Sequence, residues 1–186
     1  TDKIKFRTNV FFRNTFADLD GHSLPLQAGY DSDNKMHALQ VGVDHTSKNV
    51  KNYITLHAHN YNRDYSSPGG ELDEYNSESF MLRAEHSKVN FNKFTYGLGF
   101  DYKNDNATFA NRGSYNSSLS GDYDNLGFFT NFGYQLSNNL LTSLNLRSDK
   151  NYIVGENNSY KLGFLKKNLL ANLNLRFNHS SGYKNP

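Results

Sequence analysis

Two aspartates one residue apart, Asp31 and Asp33 in "AGYDSDN" (residues 28–34), are the first feature of this sequence able to do chemistry. Calcium takes six to eight hard oxygen ligands, and closely spaced carboxylates in a turn can supply them. The stretch is no EF-hand. With Asp31 as loop position one, position six is Met36 rather than Gly, and position twelve is Gly42 rather than Glu. Further oxygens must therefore come from elsewhere. Asp18 and Asp20 sit in "FADLDG", while Asp64 and Asp73 flank "YSSPGGEL". Against calcium stands the ordinary use of Asp in turns, where it bonds its own backbone and is solvated.

Other candidates are sparser. His57 and His59 share a strand face and could ligate a metal, although polar lining is the commoner use of such a pair. Tyr30, Tyr61, Tyr65 and Tyr115 lie in or beside polar segments and could contact a large planar substrate, or simply pack there. There is no G-x-S-x-G elbow, no H-E-x-x-H and no P-loop. Binding and gating are expected here, with no enzymatic step.

The elements that must position these residues are strands. Tyr (13) and Phe (14) are abundant, Pro is scarce (3), Trp and Cys are absent, and mean hydropathy is −0.78. Aromatic-rich and Asn/Gly-punctuated composition favours strands and turns over helices. The net charge of +2 comes from scattered residues, which leaves no nucleic-acid footprint. Without Cys there is no disulfide, Cys-ligated zinc or thiol nucleophile. No apolar run approaches the roughly 18 residues of a transmembrane helix, and "TDKIKFRTNV" lacks a signal-peptide core.

Period-two alternation runs through the chain. In "IKFRTNVFF", Ile4, Phe6, Thr8, Val10 and Phe12 oppose Lys5, Arg7, Asn9 and Arg13. "YITLHAHN", "FTYGLGFDY" and "LLANLNLRFN" repeat the pattern, and weaker versions cover 36–46, 76–88, 125–136, 139–149 and 159–166. The expectation is nine strands. Short turns at 47–50, 88–92, 137–138 and 166–167 alternate with long polar loops at 16–35, 65–75, 105–124 and 150–158. Apolar faces end in Phe94/Tyr102, Phe128/Tyr134 and Tyr160/Phe164. Alternating connection lengths and aromatic girdles mark an antiparallel up-and-down transmembrane β-barrel. Arg83, Glu85, Arg147 and Arg176 are then expected on its interior face. Nine is odd where single-chain barrels close with even numbers, so residues 1–186 are expected to be part of one larger barrel domain. The alternatives are a small self-contained outer-membrane barrel with a structural or adhesive role, and a secreted soluble β-sandwich that binds glycans.

Residues 125–186 carry Tyr134-Gln135-Leu136, Leu146-Arg147-Ser148-Asp149, Tyr160-Lys161-Leu162-Gly163 and Gly182-Tyr183-Lys184-Asn185-Pro186 in that order. In this order and spacing the segment resembles the mid-barrel of TonB-dependent receptors, departing from the family pattern at Asn185, where a small residue is usual. The first half, with "YDSDN", "GVDH" and "RDYSSPGGELDEYNSESF", is similar to the vitamin B12 (cobalamin) transporter branch. The resemblance implies a 22-stranded barrel in the outer membrane, contact with membrane lipid, and uptake of a corrinoid-like small molecule. It also implies an energised TonB partner acting through a plug region that this sequence lacks. By position it assigns calcium to Asp31, Asp33, Asp64, Asp73 and Asp18, with Asp20 as a rival for the last.

Overall fold

The computed structural model describes residues 2–19, 30–91, 93–113, 116–169 and 173–182. The described residues form one antiparallel sheet in simple chain order. Its strands are β1 (Lys3–Leu19), β2 (Tyr30–Ser47), β3 (Val50–Ser66), β4 (Leu72–Phe91) and β5 (Phe94–Arg112). They continue as β6 (Ser117–Ser137), β7 (Leu140–Asn151), β8 (Gly155–Lys166) and β9 (Leu175–Ser180). Each strand pairs with the next, and β1 and β9 form the two edges of the sheet.

Cross-strand partners point to the same side of a sheet, so the register sorts the whole chain into two faces. One face is apolar. Phe6, Val43, Ile54, Ala84, Phe100 and Phe128 lie along a single row of it. The opposite face carries Arg7, Asp44, Tyr53, Glu85, Asp101 and Arg147. No described hydrophobic side chain is buried, and Phe6, Phe12 and Phe128 are 75%, 71% and 56% exposed. A bare apolar face of this extent calls for a covering, whether lipid or protein.

The upper border of the apolar band is oblique to the rows. It follows Leu39, Ala58 and Phe80 on β2–β4, Tyr102 and Leu126 on β5 and β6, then Leu146 and Tyr160 on β7 and β8. Polar residues such as Glu78, Asn104 and Asp124 lie directly above it. Leu39 shares the row of Val10 and Tyr160 that of Ile4, so the border slips about one residue per strand from β2 to β8. At ~3.3 Å per residue and ~4.8 Å between strands, a level band requires strands tilted by roughly 35°. That falls within the range of closed membrane barrels.

Strand lengths correct the sequence reading. The segments 16–35, 65–75 and 105–124 are expected as long loops, yet every described residue of the first and most of the other two are paired strand. The strands β1–β6 are 17 to 21 residues long, about twice the 9–11 that cross a bilayer. Asn, Ser and Asp favour turns when read locally, but pairing on both sides and side-chain bonds across strands override that preference. Tyr102 and Asn104 both donate to Asp124 at 2.8 Å, and Tyr61 donates to Asn34 at 2.9 Å.

The connection between β3 and β4 shrinks to Ser67–Glu71, closed by Ser67 N donating to Glu71 O at 2.9 Å, with Gly70 at φ +80°. Between β7 and β8, Asn151 Oδ1 accepts from the backbone of Ile153 (2.8 Å) and Val154 (3.0 Å). The ninth strand, expected over 169–178, instead runs over Leu175–Ser180; residues 170–172 lie outside the described residues.

Candidate functional site

Two places on the polar face concentrate chemistry. The first is a charged clamp within the height of the apolar band. The Arg147 guanidinium donates Nη1 and Nη2 to Asp101 (2.8 Å each), and Nε and Nη2 to Asp149 (2.7 and 2.6 Å). Asn125 donates to Asp149 at 2.9 Å. Asp101 and Asp149 are buried, so the forked guanidinium neutralises carboxylates that water barely reaches.

Glycine makes the clamp possible. A Cβ at Gly127 would come within 2.3 Å of Arg147 Nη2 and 2.7 Å of Asp101 Oδ1. Beside it, the Phe129 ring lies over Gly99, where a Cβ would come within 2.3 Å of Cζ. The guanidiniums of Arg83 and Arg147 stand 4.6 and 5.9 Å from the centre of that ring. Arg83 pairs with Glu85 at 3.3 Å, and Tyr53 donates to the same carboxylate.

The second place is an aromatic cleft of about 480 Å³ higher on the polar face, lined by Tyr61, Arg63, Tyr65, Asp73, Tyr75 and Phe109. It is built by adjacent strands in register: Arg63 opposite Tyr75, Tyr65 opposite Asp73, and Tyr75 opposite Phe109. Tyr61 and Tyr75 have ring centres 5.9 Å apart, and Tyr30 and Tyr65 are 6.2 Å apart. Asn111 donates to Asp73. The cleft can hold a molecule with an apolar or planar body and charged ends.

Of the tyrosines singled out in the sequence, Tyr61 and Tyr65 line this cleft and Tyr30 stacks beside it on the same face; Tyr115 lies outside the described residues. Tyr75, Phe109 and Arg63 were missed. Their alternation with Asp64, Glu74 and Thr108 is the signal that places them on one face.

The aspartates expected to share calcium divide between the two faces. Asp18 sits opposite Asp31, and Asp33 opposite Asp64, all on the outward continuation of the apolar face above the band. Asp73 points to the polar side with Tyr65. It cannot join the other four, because a β-sheet lies between them. Lys35 pairs with Asp33 at 2.7 Å. Asp31 has its carboxyl raised above the usual range, first by a hydrogen bond with Asp18, then by slight desolvation and the Asp18 charge. A raised carboxyl favours the protonated folded state, so this pair opposes folding at neutral pH and the opposition fades as pH falls through the raised value.

Among the described residues no three His, Asp or Glu side chains gather tightly enough for a metal ion. Asp20 lies outside them. His57 and His59 do share the polar face, with ring centres 6.0 Å apart, and no third ligand joins them among the described residues.

Structural comparison places this arrangement among known folds. A solved structure of the RagAB peptide transporter superposes with a TM-score of 0.62 at 16% identity, over 82% of this chain. A structure of the RagAB peptide importer in its open-open state gives 0.59 at 17%, again over 82%. The shared fold is a single antiparallel up-and-down β-sheet. The chain spans 23% and 22% of the lengths of those two chains. No protein-family model matches the sequence, and no curated protein matches it. At this identity the likeness is one of fold: all-β, antiparallel and up-and-down.

Proposed function

We propose that this chain forms a section of the wall of an outer-membrane import barrel, with lipid against the apolar face and cargo passing along the polar one. The oblique apolar band carries the reading. Its slip of about one residue per strand is what a level membrane demands of strands tilted as barrel strands are. A soluble sandwich would instead cover that face with a second sheet, and the described strands form a single sheet.

In this proposal the upper strands, well beyond the apolar band, form a polar β-wall outside the membrane. The Tyr61–Phe109 cleft on that wall meets cargo before it descends past the Arg147 clamp. The resemblance to cobalamin transporters adds a corrinoid as cargo and an energised TonB partner. The likeness to a peptide transporter adds short peptides as the competing cargo. Calcium remains part of the proposal at Asp18, Asp31, Asp33 and Asp64 alone, as an ion held by a facing pair with water completing its shell. It would act first at Asp18 and Asp31, since Lys35 already serves Asp33. Carboxyl-13C NMR of the intact protein should show the Asp31 midpoint fall on adding calcium. A midpoint indifferent to calcium removes the ion from the account.

The location is tested by fractionation. The intact protein should stay with outer membranes through an alkaline carbonate wash, and release into the soluble fraction would contradict a membrane wall.

A further inference from the structure

Six acidic side chains are described on the polar face, and every one is engaged. Asp44 pairs with Arg7 at 2.8 Å, Glu85 with Arg83, and Asp101 and Asp149 with Arg147. Asp105 is held by Lys103 and Ser79, and Asp73 by Asn111. The arginines on this face are less evenly served. Arg7, Arg83 and Arg147 are paired, but Arg13 and Arg63 have neither a carboxylate partner nor a side-chain hydrogen bond among the described residues. Arg176, on the edge strand β9, also has none.

Arg13 and Arg63 differ from Arg176 in where they stand. Arg13 lines a recess of about 220 Å³ with Thr15, Asn34, Met36 and Tyr61. Arg63 lines the aromatic cleft, and Tyr61 belongs to both hollows. Arg13, Met36 and Tyr61 share one row, and Arg63 lies two residues further along β3. Their backbones are therefore about 12 Å apart, a spacing that two long guanidinium side chains can close around one anion over Tyr61. The carboxylates of the described strands on this face are already engaged, which leaves the two guanidiniums available to an anion from outside the wall.

We propose that Arg13 and Arg63 anchor a carboxylate of the transported cargo, whose apolar or aromatic body lies among Tyr61, Tyr65, Tyr75 and Phe109. This rests on the import reading above and names the chemistry of its cargo. Forked guanidiniums bind carboxylates through paired charged hydrogen bonds, while the rings supply flat apolar contact. Asp73 closes the far side of the cleft and repels a second anion there, which fixes the direction in which the cargo lies. A short peptide with a free carboxylate and an aromatic side chain meets each demand.

The test uses the intact protein in detergent and two probes, N-acetyl-Phe-Gly-Phe with a free C-terminus and the same peptide as its C-terminal amide. The acid should bind at least about tenfold more tightly than the amide, by an amount that shrinks as salt is raised. Arg13→Gln and Arg63→Gln should each weaken the acid by about tenfold and leave the amide unchanged, whereas Tyr75→Ala should weaken both. Both arginines are exposed, and retained circular dichroism shows that the variants fold. Equal binding of acid and amide, acid binding indifferent to both arginine variants, or no binding of either probe overturns the proposal. An overturned result from a protein that withstands the carbonate wash rejects the cargo and leaves the membrane wall standing. Release in that wash rejects the wall itself.

Discussion

Leu98→Arg is expected to destabilise the membrane-inserted protein by about 2–4 kcal/mol, the cost of a cation at the lipid-facing midplane of a barrel. Leu98 lies midway between Phe94 and Tyr102 on the apolar side of β5 and is 50% exposed. No described residue covers its exposed half, so its surroundings are set by what lies against that face. Phe16→Arg on β1 supplies the contrast. Phe16 is also exposed and on the same side, but it stands beyond Phe12 and in the row of Asp33 and Asp64. There the cost should be about 0–1 kcal/mol. Denaturant unfolding of the intact protein in lipid vesicles reads both. Equal costs at the two positions would mean that depth does not matter and that lipid is not the covering.

Arg147→Ala is expected to cost about 2–4 kcal/mol and to loosen the β5–β7 wall. Removing one partner of a buried ion pair strands the other charge, at about 3–5 kcal/mol when fully buried. The figure is lowered here because the guanidinium side chain is 34% exposed. Asp101 and Asp149 would face each other across Gly127 with no cation between them. Gly127→Ala should reproduce much of the loss without touching a charge, because its Cβ claims the space of Arg147 Nη2. Arg147→Lys should fall between the two, since an ammonium keeps the charge but loses the fork. Unfolding in the same vesicles orders the three variants. A silent Arg147→Ala would mean that the carboxylates find other partners.

The alternation in "FTYGLGFDY" was enough to place Leu98 and Phe100 on one face, and nine strands followed from such patterns. The girdle residues Phe94 and Tyr134 do meet across strands, with ring centres 6.2 Å apart. What local pattern could not supply was register. The five-residue connection Ser67–Glu71 sets Ser66 opposite Leu72 and so turns Asp73 to the polar side. A connection one residue different would have turned it toward Asp64, because a one-residue slip flips every side chain. The same limit hid the Arg147 clamp. Arg147 and Asp149 are visibly on one face at i and i+2, but Asp101 comes from two strands away and joins them only once β5, β6 and β7 are aligned. The upper strands were misread for another reason: their Asn, Ser and Asp residues signal turns locally, and only pairing on both sides holds them extended.

The central claim is that one face of this sheet meets lipid and the other meets water and cargo. A single-cysteine spin-label scan along β5 of the intact protein, residues 94 to 102, tests it most directly. Oxygen, which partitions into lipid, should reach labels at 94, 96, 98, 100 and 102 preferentially, with its maximum near 98. A water-soluble nickel relaxant should prefer 95, 97, 99 and 101. That alternation, with a depth maximum at Leu98, is the predicted result. Nickel access at 96, 98 and 100 equal to that at the odd positions, or exclusion of both reagents from the even ones, would contradict it.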